Sequence, residues 1–152
     1  MPLFGNRKPF PVVQNPQFRA IENAVSPDGK WLAYMSVESG TPEIYVVPFG
    51  HGGGKWEVST GGGVFPRWSR NGKELFYLSL DRELMSVEIS EQAGSPAIGK
   101  VTPLFPVKPI SGGRPYDVNA DGKKFIIDTQ AEPKTSEPLT LVVNWPALLK
   151  KQ

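Results

Sequence analysis

Val25-Ser26-Pro27-Asp28-Gly29-Lys30-Trp31-Leu32-Ala33-Tyr34-Met35-Ser36 is a tight turn running straight into a strand. Its first half, Ser26-Pro27-Asp28-Gly29, puts proline where a turn wants φ of about −60° and glycine where φ > 0 is expected. The unit recurs as Trp68-Ser69-Arg70-Asn71-Gly72-Lys73-Glu74-Leu75-Phe76-Tyr77-Leu78-Ser79, and again as Val118-Asn119-Ala120-Asp121-Gly122-Lys123-Lys124-Phe125-Ile126-Ile127-Asp128-Thr129. Gly29, Gly72 and Gly122 are 43 and 50 residues apart, the spacing of a blade-type β repeat. The run Trp31 to Met35 is apolar on both faces, so its sheet needs a neighbour on each side.

The rest of the composition fits one all-β domain. The chain has 152 residues, 39% hydrophobic and 21% charged, with a net charge of +2. Neither disorder nor an acidic polymer partner is indicated, and without a basic stripe nucleic acid is not an expected partner. Sixteen glycines and sixteen prolines fall between apolar runs and read as turns. Cysteine is absent, which excludes disulfides and thiolate metal sites. No apolar run reaches the roughly 18 residues of a membrane span, and Met1 to Lys8 lacks the apolar core of a signal peptide. The expectation is a cytoplasmic protein as written, with no membrane partner, or an extracytoplasmic (periplasmic) one if the chain is part of a receptor.

Strands fill almost the whole chain. Residues 1–8 read as a tail and 9–146 as three propeller blades. Residues 9–14 carry two prolines two apart and so form an outer strand of a shared blade. Residues 18–60 and 64–107 are one blade each, 114–145 are the remainder of the shared blade, and 147–152 are a second tail. One, four, four and three strands make twelve, or three four-stranded blades with one split between the ends, as propellers do to tie their termini together.

The Ser-Pro-Asp-Gly-Lys-Trp turn and the Gly-Gly-x-x-Pro-x-Trp-Ser stretch from Gly62 to Ser69 resemble TolB-type, WD-like propeller repeats. Leu139-Thr140-Leu141-Val142-Val143-Asn144-Trp145 resembles the end of the propeller domain of bacterial receptor serine/threonine kinases. The resemblance spans about residues 9 to 149. It implies a β-propeller, usually six-bladed, used as a sensing or interaction module, and it implies no catalytic residue. No kinase motif is present.

Three blades do not close a ring, and an open half would expose an apolar face and an unpaired edge at each end. A homodimer of three plus three blades removes both. In that arrangement Phe10 and Val12 of one copy pair with Leu139, Leu141 and Val143 of the other.

Candidate chemistry is sparse. His51-Gly52-Gly53-Gly54 matches the oxyanion string of some lipases, but no Gly-x-Ser-x-Gly elbow accompanies it, and His51 is the only histidine. A hairpin loop is the better reading. Asp28, Asn71 and Asp121 recur in the turns, where their side chains are expected to bond the turn backbone rather than a cation. Aligned on the turn glycines, Ala24, Arg67 and Asp117 share one repeat position, with Ile21, Val64 and Arg114 three residues earlier. Propeller ligands sit over the channel mouth, so Arg67, Arg114, Tyr116 and Asp117 are the binding candidates. Doubled in a two-fold ring, Asp117 is a candidate ligand for calcium or another divalent cation, and the arginines for an anion. Surface salt bridges are the plainer role for all of them. Asp128 stands where the other repeats have Met35 and Leu78, and a structural pair with Lys123 or Lys124 is expected. Trp31, Trp56, Trp68 and Trp145 are expected between blades.

Two functions follow. The first is a non-catalytic scaffold or sensor, with no cofactor, that assembles with itself and binds peptide, glycan or a small anionic ligand at the channel mouth. The second is a metal-dependent hydrolase of the lactonase, esterase or phosphotriesterase type, for which Asp117, Glu22 and Asn23 are the available polar groups.

Overall fold

A computed structural model describes residues 11–14, 17–50, 53–108 and 115–129, together with the backbone of 139–143. Its eleven strands form three antiparallel sheets in strict chain order. The first contains β1 (Ile21–Val25), β2 (Trp31–Ser36), β3 (Glu43–Pro48) and β4 (Trp56–Glu57). The second contains β5 (Val64–Trp68), β6 (Glu74–Leu78), β7 (Glu83–Gln92) and β8 (Ser95–Pro106). The third runs from β9 (Tyr116–Val118) through β10 (Lys124–Asp128) to β11 (Leu139–Val143). Among the described residues no helix is long and apolar enough to cross a membrane.

In each sheet the same turn joins the first strand to the second, built by the same hydrogen bonds. Gly29 N–H donates to the Ser26 carbonyl, Lys30 N–H to Asp28 Oδ1, and Trp31 N–H to Ser26 Oγ. Gly72, Lys73 and Glu74 repeat this set on Ser69 and Asn71, while Gly122, Lys123 and Lys124 repeat it on Asn119 and Asp121. The three glycines have φ of 71°, 70° and 72°, a region that a side chain enters only with strain. The Ser26 hydroxyl holds the Asp28 carboxyl below its usual range, and the Lys123 amide does the same for Asp121. These acids thus serve their own turns, as read from the sequence.

The sheets stack by alternating faces. Trp31, Ala33 and Met35 of the first sheet form one core with Leu75 and Tyr77 of the second. Phe76 and Leu78, on the opposite face of β6, form another core with Phe125 and Ile127 of the third. The Phe76 and Phe125 rings meet edge-on, 5.0 Å between centroids. Trp31 and Trp68 are buried in the first joint with Trp56 against it, whereas Trp145 lies outside the described residues.

The link between the first two sheets is held by a buried acid. Glu43 is 4% exposed; its Oε1 accepts the N–H groups of Gly61 (2.9 Å) and Gly62 (2.8 Å), and its Oε2 accepts the Ser59 hydroxyl. Ser59 Oγ in turn accepts Ile44 N–H at 2.8 Å. A Cβ on Gly63 would meet Ser59 Oγ at 2.6 Å and Ile44 Cγ1 at 2.9 Å, so the chain must pass here without a side chain.

Several elements differ from the sequence reading. Pro11 to Gln14 form no strand, so Val12 does not supply the outer strand expected over 9–14; Phe10 lies outside the described residues. The β4 strand is two residues long because the Ser59 side chain takes over a ladder amide. The β7–β8 hairpin is longer than expected, turning at Ala93 (φ 49°) and Gly94 (φ 77°), the positive pair that a two-residue hairpin requires. Asp128 makes no ion pair with Lys123 or Lys124, because four residues of strand set Lys124 about 13 Å away.

The two ends of the stack are also unequal. On the far side of the first sheet Leu32, Tyr34 and Tyr45 are 8%, 2% and 4% exposed, so that face is already covered within the chain. Lys55 lies 4.8 Å over the Tyr45 ring and pairs with Glu38. On the far side of the third sheet Ile126 is 55% exposed. Ile126 stands on that face between Lys124 and Asp128, so one exposed isoleucine is found where an open apolar face was expected at each end.

Replacing Glu43 by alanine leaves the buried Gly62 amide, the part-buried Gly61 amide and the buried Ser59 hydroxyl without their acceptor. The expected loss is about 2–4 kcal/mol in urea unfolding, with Glu43→Gln losing less.

Candidate functional site

The first strand of each sheet lies against the first strand of the next, β1 on β5 and β5 on β9, which defines the inner edge of the stack. Register places the repeat positions at matching levels. Ala24 pairs with Ala33, Arg67 with Phe76 and Asp117 with Ile126, each partner four residues past its turn glycine. The sequence alignment of Ala24, Arg67 and Asp117 therefore holds in space.

Both β1 and β5 carry a bulge on the way to that position. The bulged residues, Glu22 and Phe65, have φ of 56° and 57°. A non-glycine residue in this region is strained, and two at equivalent positions mark a feature that its surroundings enforce. The third repeat has Pro115 here, whose ring forbids positive φ.

Hydrogen bonds across the joints hold the bulges. Phe65 N–H donates to Glu22 Oε2 at 2.8 Å, and the Tyr116 hydroxyl donates to the Phe65 carbonyl at 2.7 Å. The Trp68 indole N–H donates to the Ala24 carbonyl at 3.0 Å. Through Phe65 a side chain from the first blade and one from the third grip the same backbone unit of the second. Glu22 is an acid where the next repeat has Phe65; its clamping role has no motif, and only that departure from the repeat could have drawn attention to it.

Of the residues singled out from sequence, Arg67 and Tyr116 face the joint between the second and third sheets and Asp117 the far side of the third, while Arg114 lies outside the described residues. Tyr116 is 4% exposed, and burial pushes its phenol far above the ordinary range. The Arg67 charge opposes that shift, and the Asp117 and Glu22 charges add to it. Arg67 is half-buried and donates from Nη1 to the Pro66 carbonyl at 2.6 Å. Asp117 is exposed and accepts Val118 N–H at 2.8 Å. The inner strands thus offer a guanidinium with donors to spare and two carboxylates each bonded to a backbone amide. Among the described residues no three acidic or histidine side chains stand close enough to share a metal ion. His51 lies outside the described residues.

No family model matches the chain, and no curated protein matches it. Solved structures do. TolB from Acinetobacter baumannii superimposes with a TM-score of 0.54 at 19% identity, over 84% of this chain and 29% of that one. An oligogalacturonate lyase in complex with manganese gives 0.52 at 18% identity, over 74% of this chain and 30% of that one. A candidate 6-phosphogluconolactonase from Bacteroides uniformis gives 0.51 at 15% identity, over 80% and 39%. At these identities the likeness concerns the fold, an all-β stack of propeller-type blades, and this chain spans 29–39% of the length of those structures.

Removing the Tyr116 hydroxyl as Tyr116→Phe should lower stability by about 1 kcal/mol in urea unfolding. Tyr34 and Tyr77 are pushed by burial to about 12, and Tyr116 is also raised, from ordinary values near 10.0. A raised folded-state pKa means stability that is complete below the unfolded value and declines as pH rises toward the folded one. Stability should therefore fall above about pH 10, with three of the four tyrosines ionising together with unfolding in a 295 nm titration.

Proposed function

We propose that this chain is a non-catalytic propeller module, a scaffold or sensor, whose remaining blades come from a second copy. One comparison carries the assembly. Ile126 occupies the repeat position of Ala33 and Phe76; those two are 0% exposed because another blade covers them, and Ile126 is 55% exposed because none does. The register supports the same end of the stack as the joining point, since β11 pairs with β10 on one side and with no described strand on the other. In a two-fold ring the third blade of each copy meets the first blade of the other. The Tyr34–Tyr45 face must then exchange its present cover for the partner's Ile126 face. Leu139, Leu141 and Val143 lie on β11, at the edge where that partner would add its strand.

Binding takes place at the inner ends of the blades, around Arg67, Tyr116 and Asp117, with a peptide, glycan or small anion as the ligand class. The resemblance of Leu139–Trp145 to the end of receptor-kinase propellers favours a sensing role, and with it an extracytoplasmic setting. The hydrolase reading would draw on Glu22 and Asp117, but each already accepts a backbone amide, which favours binding over metal-assisted chemistry.

Light scattering after size exclusion at micromolar concentration should give twice the 16.7 kDa chain mass, and Ile126→Glu should give single chains with an unchanged far-UV spectrum. A natively folded wild-type monomer would contradict the assembly. Chelator-sensitive turnover of an ester or lactone would contradict the non-catalytic reading.

A further inference from the structure

Arg67 is the residue whose surroundings leave most unexplained. Its guanidinium is half-buried on the innermost strand of the middle blade and carries five N–H donors, one of which reaches the Pro66 carbonyl. Among the described residues no carboxylate lies within ion-pair distance of it. Glu22 accepts Phe65 N–H and Asp117 accepts Val118 N–H, and neither carboxylate is paired with Arg67. Packing does not demand an arginine either, since the same repeat position in the first blade is Ala24.

The bulge beside it sharpens the point. Phe65, two residues earlier, is held at φ 57° by Glu22 from one side and Tyr116 from the other. That clamp spends Glu22, the acid that attraction alone would draw to Arg67, on fixing the strand from which Arg67 projects. A cation held on a braced strand, partly removed from water and with no counter-ion among the described residues, is arranged for an anion that arrives from outside.

We propose that Arg67 is the recognition point for a ligand carboxylate, taken through the free part of the guanidinium fork. The planar fork matches a carboxylate in two parallel hydrogen bonds, a geometry that lysine cannot reproduce. The inference rests on the inner ends of the blades being the binding region, but it uses one chain's residues alone and does not depend on dimer formation.

The test is isothermal titration of the full chain with two carboxylate sources, a tri-glutamyl peptide blocked at both ends and free glucuronate, against the corresponding glutamine peptide and glucose as neutral controls. Either carboxylate binding while its neutral control does not supports the proposal, and the tighter one identifies the source. Arg67→Lys should weaken binding by about ten-fold, as expected for loss of one charge-assisted hydrogen bond of about 1.5 kcal/mol. Equal binding by Arg67→Lys, or no binding of either carboxylate, would overturn the proposal. Running the same titrations on Ile126→Glu separates it from the assembly, since binding should survive in the single chain.

Discussion

A β-sheet whose central strand is apolar on both faces cannot be satisfied by its own strands; it must be pressed between two others. Everything in this fold follows from that constraint. In the middle blade, Leu75 and Tyr77 turn to one neighbour while Phe76 and Leu78 turn to the other, and all four are at most 4% exposed. The end blades lack one neighbour each and solve the problem differently. The first has its outer face covered within the chain over Leu32, Tyr34 and Tyr45, and the third leaves Ile126 in water. A single isoleucine is unremarkable on a surface, but its two equivalents, Ala33 and Phe76, are fully enclosed by the next sheet.

Stacking also accounts for the inner edge. Where the first strands converge, the joints are fastened by directed hydrogen bonds as well as by apolar contact. Glu22 and Tyr116 reach into the middle blade from either side, and Trp68 reaches back to Ala24. These bonds hold Glu22 and Phe65 in left-handed conformations that are unfavourable in isolation. Strain of this kind persists only where the surroundings enforce it, and here it sits beside the one cluster of charge that the sequence placed at the end of the inner strands. The turns at the opposite end of those strands are relaxed by comparison, with a glycine at each positive φ.

The architecture was legible because it repeats. Three copies of one turn, each with an apolar strand behind it, announce both the sheets and their number, and the glycine alignment predicted which residues would stand at the same level. What escaped notice lacks a period. Glu43 clamps Gly61 and Gly62 through contacts 18 and 19 residues away, and nothing in the local pattern distinguishes it from a surface acid at a strand start. The Ala93–Gly94 hairpin has no counterpart in the other repeats, and its second strand accepts Pro96 because β8 is an edge strand. The expected strand over 9–14 rested on counting to twelve, and in the described part of that segment the count does not hold. Asp128 was assigned a lysine partner from sequence proximity, whereas strand geometry carries neighbours four apart well out of reach.

The claim at the centre is that the third blade is completed by another copy of the chain. Amide hydrogen exchange, followed by mass spectrometry across a hundred-fold range of protein concentration, tests it most directly. Peptides covering β9 to β11 should gain protection as concentration rises, while those covering β5 to β7 stay as they are. Protection in the third blade that is the same at every concentration would contradict the claim.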